Sequence, residues 1–227
     1  LRAMSQAGID KIVFSNTCAV YGQPSHVPVT EHAHPAPITP YGTSKLMVEQ
    51  IMNDFRSAYG LNFVALRYFN ASGADLDAEI GELRDPETHI IPRAMMALQG
   101  HLDDFQVFGT DFPTPDGTAI RDYIHVADRA EAHVLALGTL LRGHRGGVFN
   151  LGAGKGYSVK EILDEIARHT GHPLAPSSGP QRKGDAAALY ADALLAKTEL
   201  GWQPRHSDLE TIIRSAWRWH QKAHPKR

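Results

Sequence analysis

A tyrosine and a lysine stand four places apart in the stretch PITPYGTSKLMVEQIMNDF, residues 37 to 55. A helix would project Tyr41 and Lys45 from the same face, because little more than one turn separates them. An ammonium group within several ångströms favours phenolate, so Lys45 is expected to lower the pKa of the Tyr41 phenol. Such a phenol could act as a general base. A surface tyrosine beside a solvated lysine is the alternative, and the spacing alone favours that alternative.

Hydroxyl side chains gather in a second stretch, FSNTCAVYG, residues 14 to 22. The strand predicted before it ends at Phe14 or Ser15, so the side chains of Ser15 and Thr17 can face a ligand at its carboxyl end. Parallel sheets bind small molecules outside the carboxyl ends of their strands. A strand that ends in a polar turn would explain the same residues without a ligand.

The hydrophobic pattern predicts strands that alternate with helices around these residues. Strand KIVFSN (11 to 16) is followed by a polar loop, by a helix from about 41 to 59 that ends at Gly60, and by a buried strand at 61 to 70. Strands joined by a helical crossover form a parallel sheet. Later helices are predicted at 89–100, 127–142, 158–171, 190–200 and 208–223, and later strands at 105–109, 121–126 and 146–152.

Composition limits the classes of partner. Of the 227 residues 42% are hydrophobic and 21% are charged, which is typical of a chain with a packed core. The formal net charge of −2 argues against nucleic acid as a partner. The single cysteine, Cys18, and the lack of an apolar run long enough to cross a bilayer favour a cytoplasmic protein without membrane contact.

The first residues resemble the end of a helix rather than the beginning of a domain. Leu1 stands where a Met is usual, and LRAMSQAGID places Gly8 as a helix C-cap immediately before the first strand. We therefore expect the chain to begin within a domain, with earlier strands and helices missing.

Several longer segments occur in an order that matches a known family. They are LRYFN at 66–70, GTDFPTPDGTAIRDYIHVADRAEAH at 109–133, FNLGAGKGYSV at 149–159 and RKGD at 182–185. Together with the Tyr/Lys pair and the stretch around Thr17, they resemble the extended short-chain dehydrogenase/reductase family over essentially the whole chain. Within it, the sugar-nucleotide 4-epimerases are most similar, and the UDP-glucose 4-epimerase family is the nearest that can be named.

The resemblance implies a fold and a division into domains. It implies an α/β protein, a partial Rossmann-like doubly wound parallel sheet, with a smaller α/β substrate-binding domain. Residues 1–72 and 118–146 would form the remainder of the NAD-binding domain, and residues 73–117 and 147–227 the domain that binds the UDP-sugar. The glycines of GAGKG at 152–156 do not have the spacing of a dinucleotide or phosphate loop, so this segment is interpreted as a strand-to-helix turn.

The resemblance also implies a reaction, the NAD-dependent inversion of C4 in UDP-glucose or UDP-galactose through a 4-keto sugar. Tyr41 would take the proton of the sugar 4-hydroxyl while C4 passes hydride to NAD. Lys45 would hold the phenolate and the nicotinamide ribose, and Thr17 would hydrogen-bond the 4-oxygen. Ser15 and Tyr68 would join Tyr41 and Lys45 in contacting the cofactor.

The diphosphate of such a substrate needs positively charged side chains, and its uracil needs a side chain that stacks on it or contacts its edge. By resemblance, Arg121 and Arg182 contact the phosphates, Asn70 places an amide on the diphosphate side, and Asp185 lies beside the ribose. Phe108 stands at the position next to uracil. Taken singly, each of these side chains also has an ordinary structural explanation, as a surface ion pair or as part of the core.

Two positions depart from the family pattern. His89 stands where several relatives carry an asparagine that contacts the substrate. Leu189 stands where the size of the sugar pocket is set, and a mid-sized apolar side chain leaves tolerance of an N-acetyl group open.

Three histidines crowd one loop, but their neighbours are mostly prolines, so a solvated loop is expected and no metal site is predicted. These histidines are His26, His32 and His34.

Other functions stay open at this point. A UDP-pentose (xylose or arabinose) 4-epimerase would share these residues, and so would a catalytically inactive fragment that binds UDP-sugars without NAD. A 4,6-dehydratase is disfavoured, because Cys18 and Ala19 follow Thr17 where such relatives place an acid.

The resemblance further implies a homodimer of the complete protein, in which the helix from Tyr41 to Tyr59 contributes to the interface.

Overall fold

The computed structural model describes residues 1–223 as strands and helices that largely alternate along the chain. Helices α1 to α6 span Arg2–Gln6, Pro40–Tyr59, Ile90–Leu98, Val126–Leu141, Val159–Thr170 and Leu209–Ala223. Strands β1 to β9 span Lys11–Thr17, Asn62–Tyr68, Asn70–Ser72, Gln106–Phe108, Ile120–His125, Gly146–Leu151, Gly156–Ser158, Ser177–Gly179 and Ala188–Leu189. A 3₁₀ turn covers Cys18–Tyr21, and a π-helical turn covers Ala196–Leu200.

The main sheet contains β1, β2 and β6 in that order, and neighbouring strands are parallel. Successive side chains of a strand point to opposite faces, and both faces are apolar here. In β2, Val64 and Leu66 join the core cluster that contains residues of α4, whereas Phe63 and Ala65 join the cluster that contains Met52 of α2. Helices therefore cover both faces, and the predicted α/β, Rossmann-like doubly wound arrangement is confirmed.

Helix α2 begins against the end of β1. The Thr39 hydroxyl accepts the backbone N–H of Gly42 at 3.1 Å, and Pro40 takes the first helical position, where its missing N–H is harmless. A Cβ atom on Gly42 would lie 2.5 Å from the carbonyl oxygen of Ala19, so only glycine lets the helix approach the 3₁₀ turn so closely. This contact places Tyr41, in the first turn of α2, at the carboxyl edge of the sheet.

A second sheet and three helices form the other part of the structure. Strand β5 pairs with β3, β7 and β9, and helices α3, α5 and α6 share a second apolar cluster with Tyr123 of β5. The predicted capping box at the start of α5 is confirmed, because the Ser158 hydroxyl accepts the N–H of Glu161 while the Glu161 carboxylate accepts the N–H of Ser158. Among residues 1–223 no helix combines the length and apolarity needed to cross a membrane.

Some predicted elements differ from the structure. The single strand expected at 61–70 divides after Tyr68, because Asn70 begins β3 in the other sheet. The helix expected at 190–200 is wrong over its first half, where the chain is extended and hydrogen-bonded to its neighbours, and only a short helical stretch that ends in the π-helical turn remains. Strands β7, β8 and β9 were not predicted, because two or three residues show no periodicity.

The division into two domains stays a prediction, although the strand pairing in the main sheet indicates where one of the domain boundaries should lie. Strand β6 pairs with β2 from Gly146 to Leu151. The boundary predicted after residue 146 would separate most of β6 from the sheet to which it belongs. Hydrogen bonding therefore favours a boundary after Leu151.

His125 makes the stability of the fold depend on pH. Its Nδ1 accepts the N–H of Ala127 at 3.1 Å as the N-cap of α4, its Nε2 lies 3.0 Å from the Ser215 hydroxyl, and burial lowers its pKa below 6.5. Below pH 6.5 the unfolded chain therefore binds more protons than the native chain. The free energy of unfolding should fall as the pH drops from 6.5 to the lower pKa that His125 has in the folded chain. Urea unfolding at several pH values measures this slope. In His125→Asn, whose amide oxygen can still cap α4, the slope should be smaller; an unchanged slope would assign it to other groups.

Candidate active site

The carboxyl edge of the main sheet brings together Thr17, Tyr68 and Tyr41. Thr17 and Tyr68 are paired residues at the ends of β1 and β2. The Thr17 hydroxyl accepts the N–H of Ala19 at 3.1 Å, which leaves its own proton to donate. Burial raises the pKa of the Tyr41 phenol, and the Thr17 side chain lies close enough to lower it in part. The Tyr41 side chain is 52% exposed, so its hydroxyl group is accessible to a ligand.

Lys45 lies one helical turn beyond Tyr41 on the same face of α2. Its Nζ donates to the backbone carbonyl of Ser15 at 3.0 Å and lies 4.9 Å from the ring centre of Phe14 and 5.8 Å from that of Tyr41. The ammonium group of Lys45 therefore lies near the phenol ring of Tyr41, as the helical spacing predicted. An ammonium group carries three protons, so the bond to Ser15 leaves donors for a bound ligand.

The expected direction of the Tyr41 pKa is wrong for this structure. Burial raises the pKa of the Tyr41 phenol above its ordinary value, the Thr17 side chain lowers it in part, and Tyr68 and Cys18 raise it further. The Lys45 ammonium donates to the carbonyl of Ser15 and lies 5.8 Å from the ring centre of Tyr41, so it makes no direct hydrogen bond to the phenol that would offset burial. The protein alone thus holds this phenol protonated at neutral pH, and a further positive charge is needed to ionise it.

Two predicted cofactor residues make contacts that the sequence did not indicate. The Ser15 hydroxyl lies 2.7 Å from Nε2 of His133, and Nδ1 of the same ring lies 2.8 Å from the carbonyl oxygen of Arg129. The Arg129 guanidinium lies 5.0 Å from the ring centre of Tyr68. Helix α4 thus holds Ser15 and Tyr68 from one side of the sheet. Arg129 and His133 both lie in the family-like segment 109–133, but the sequence reasoning assigned neither of them a role.

The residues predicted for the nucleotide form two contacting pairs. The Arg182 guanidinium lies 4.2 Å from the ring centre of Phe108, a cation–π contact that leaves Arg182 exposed. An Nη atom of Arg121 lies 3.9 Å from the Asp185 carboxylate. Leu189 of β9 pairs directly with Arg121 of β5. The Asp185 N–H donates to the Arg182 carbonyl at 3.1 Å, so these five residues lie in one region, and their role in nucleotide binding stays a prediction.

Asn70 and His89 line a neighbouring cleft of about 480 Å³ together with Tyr123 and Trp219. The Asn70 amide donates to the carbonyl of Asp122 at 2.8 Å. His89 Nδ1 lies 2.7 Å from the Glu82 carboxylate, and this hydrogen bond raises the pKa of His89. The other predicted substrate residues do not line this cleft.

Two contacts connect the nucleotide region to the catalytic edge. The Gln23 amide donates to the carbonyl of Asp185 at 3.4 Å, and Gln23 follows the 3₁₀ turn that leaves β1. Burial raises the pKa of the half-buried Cys18 thiol to about 12, and the charge of Arg121 acts to lower it. Because Cys18 follows Thr17 directly, Arg121 lies within electrostatic reach of the catalytic edge.

The donors at the sheet edge fit the nicotinamide-ribose end of NAD. Lys45 and Tyr41 offer proton donors there, and both side chains are at least partly exposed. The GAGKG turn does not offer a phosphate site, because Ala153 and Gly154 donate their N–H groups to the Asp122 carboxylate at 2.8 and 3.3 Å. GAGKG is thus a turn, as interpreted, but it joins β6 to β7, and a helix begins only after β7.

A group of possible metal ligands occurs in the part of the chain that the structure describes. Glu82, Glu87 and His89 place their ligand atoms within 4.8 Å of one another. Glu87 already accepts the N–H groups of Thr88 and His89 at 2.6 and 2.7 Å, and Glu82 is bonded to the His89 ring. These bonds explain the group without an ion, and the absence of a metal site stays a prediction.

The main sheet is parallel, helices cover both of its faces, and Thr17, Tyr41 and Lys45 lie at its carboxyl edge. This arrangement is typical of α/β proteins that bind a nucleotide cofactor. The model of the NAD dependent epimerase/dehydratase family matches residues 1–152. The chain therefore belongs to that family, and the resemblance found in the sequence is confirmed.

Individual relatives agree with this assignment. The UDP-glucose 4-epimerase of Lacticaseibacillus casei is 47% identical over 226 residues, which are 100% of this chain and 68% of that protein. A solved UDP-glucose 4-epimerase from Brucella ovis, in complex with NAD, has a TM-score of 0.92 and 51% identity, and the match covers 96% of this chain and 67% of that one. A structure from Stenotrophomonas maltophila, named UDP-glucose-4-epimerase with bound NAD and formylated UDP-arabinopyranose, has a TM-score of 0.93 and 44% identity over 98% of this chain and 66% of that one.

Proposed function

We propose that this chain is the carboxyl-terminal portion of an NAD-dependent UDP-glucose 4-epimerase, an isomerase that inverts C4 of a UDP-hexose through a 4-keto sugar. The observation that carries the proposal is the meeting of Thr17, Tyr41 and Lys45 at the carboxyl edge of the sheet, in a chain nearly half identical to proteins of that name. NAD, when bound, would accept a hydride from C4 and return it, and its oxidised ring would add a positive charge near the phenol.

The chain's own residues would move the proton. Tyr41 would take the proton of the sugar 4-hydroxyl and give it back after the sugar has turned over. Thr17 would donate its hydroxyl proton to the sugar 4-oxygen or to the phenolate, since its oxygen already accepts the Ala19 N–H. Lys45, anchored on the Ser15 carbonyl, would hold the ribose hydroxyls and favour the charged phenol when a ligand brings its hydroxyl groups within reach.

Inversion requires that the nucleotide stay fixed while the sugar turns. Arg121 and Arg182 would neutralise the diphosphate, Phe108 would contact uracil, and Asp185 would accept a ribose hydroxyl. Asn70 would hold the diphosphate, and His89 would contact the substrate from the neighbouring cleft. Leu189 would bound the sugar pocket, where its apolar side chain forms no hydrogen bond that would fix one sugar orientation.

Arg182→Ala should weaken binding of UDP about 10- to 100-fold, because the cation beside Phe108 is removed while the ring remains. Isothermal titration with UDP measures the change. Lys183→Ala removes the next charge along the chain and is the matched control, with an expected change below about twofold. Equal losses in both variants would indicate general attraction by charge instead of a defined contact.

A UDP-pentose 4-epimerase is the second candidate. The Stenotrophomonas maltophila structure contains a formylated UDP-arabinopyranose, and the apolar side chain of Leu189, which pairs with Arg121, cannot itself hydrogen-bond a sugar C6 hydroxyl. The ratio of kcat/KM for UDP-galactose and UDP-arabinopyranose decides between hexose and pentose.

We further propose a homodimer in the cytoplasm for the complete protein. Helix α2 exposes Met47 and Ile51, one turn apart, at 55% and 47% exposure. An apolar stripe on a surface helix supports burial against a second copy. Sedimentation of the complete protein and of Met47→Lys would test this interface.

Epimerase assays test the function directly. The product of the complete reading frame should interconvert UDP-galactose and UDP-glucose, whereas the 227-residue chain with added NAD should show no turnover. Turnover by the 227-residue chain would refute the expected inactivity of this portion, and no turnover by the complete product would refute the proposed function.

A further inference from the structure

A buried ion pair holds the middle of α2 to the sheet. Glu49, two turns beyond Tyr41, accepts hydrogen bonds from Nε and Nη2 of Arg67 at 2.7 and 2.5 Å. Both side chains are only 5% exposed. Asn16 of β1 donates to the same carboxylate. The orientation of α2 relative to β1 and β2 is therefore fixed by directional bonds as well as by apolar packing.

Tyr21 extends this network away from α2. Its hydroxyl oxygen accepts a hydrogen bond from Nη1 of Arg67 at 2.9 Å, and its proton is donated to Oδ1 of Asn150 at 2.7 Å. The Asn150 amide then donates to the carbonyl of Val29 at 2.9 Å. Arg67 can only donate and Oδ1 of Asn150 can only accept, so a hydroxyl group suits the position between them.

The network ends at the segment that carries Leu189. The Val29 N–H donates to the carbonyl of Tyr190, and the Asp192 N–H donates to the carbonyl of Val29, both at 2.8 Å. The same segment pairs Leu189 with Arg121 of β5. An unbroken path of hydrogen bonds thus runs from the helix of the general base to the sugar side of the nucleotide region.

We propose that Tyr21 is a positioning residue, whose hydroxyl holds α2 and residues 187–192 in a fixed relative position. Only the expected effect of Tyr21 on turnover rests on the proposed function, whereas its role in holding the two segments does not. Burial raises the pKa of the Tyr21 phenol to about 12, which keeps the proton that the bond to Asn150 requires. Phenylalanine would keep the packing but leave both Arg67 and Asn150 without their shared partner.

Hydrogen–deuterium exchange of the 227-residue chain tests the coupling without any assay of activity. Tyr21→Phe should accelerate exchange about fivefold in both α2 and residues 187–192, with little change in α5, which lies outside the network. Thr139→Val is the matched control, because it removes another buried hydroxyl, on α4, that accepts a hydrogen bond from Arg142. Acceleration in one of the two regions alone, or equally in α5, would overturn the inference.

Kinetics of the complete protein supply a second readout. Tyr21→Phe should lower kcat about tenfold while the Kd of UDP changes less than about twofold, because the nucleotide contacts lie elsewhere. Thr139→Val should change neither value by more than about twofold. Wild-type kcat in Tyr21→Phe would overturn the inference. An inactive wild type would refute the proposed function instead, and the exchange experiment would still decide the role of Tyr21.

Discussion

Tyr41→Phe is expected to lower epimerase turnover of the complete protein about 1000-fold, because it removes the proton acceptor for the sugar 4-hydroxyl. Tyr41 is 52% exposed at the sheet edge, so loss of one oxygen should leave the packing of helix α2 unchanged. Steady-state assays with UDP-galactose measure kcat, and titration with UDP measures binding.

The Kd of UDP should stay within about twofold in this variant, since the nucleotide contacts lie on other elements. Tyr59→Phe, at the far end of the same helix, removes a second exposed phenol and should retain full turnover. Near-wild-type kcat in Tyr41→Phe would show that another group is the base. Loss of UDP binding would show that Tyr41 has a different role.

Arg67→Met is expected to lower the free energy of unfolding by about 3–5 kcal/mol, because it leaves the Glu49 carboxylate buried without its partner. Both side chains of the pair are 5% exposed, so water cannot replace the lost bonds. Urea unfolding of the 227-residue chain, followed by circular dichroism, measures the change in the free energy of unfolding.

Removing both charges provides the control. The double variant Glu49→Met, Arg67→Met should recover most of the loss, because no unpaired charge then remains in the core. Additive losses in the two single variants and the double variant would show that the two side chains do not interact energetically. A loss below about 1 kcal/mol in Arg67→Met would show that the pair is hydrated in solution.

The parts of the site that could be predicted are those encoded locally. Helical spacing placed Tyr41 and Lys45 on one face of α2, and Gly60 marked the end of that helix. The position of Thr17 followed from the end of an apolar strand. The family resemblance supplied the nucleotide residues, and the structure places Phe108 beside Arg182 and Arg121 beside Asp185.

What could not be predicted depends on contacts between distant residues. The expected drop in the Tyr41 pKa is wrong because burial raises it, and the sequence does not show how far the folded chain encloses the phenol. Tyr21 and Asn150 are 129 positions apart, and nothing in either segment indicates that they meet. The helix predicted at 190–200 failed for the same reason, since hydrogen bonds from other elements hold its first residues extended.

The close approach of Gly42 to the Ala19 carbonyl has a consequence for natural variation. Even one added methyl group would push the front of α2 outward and carry the reacting hydroxyl with it, while the apolar contacts farther along the helix could remain. Variants at this position would then fold, bind nucleotide and yet be inactive, so a screen that scores only solubility would pass them as harmless.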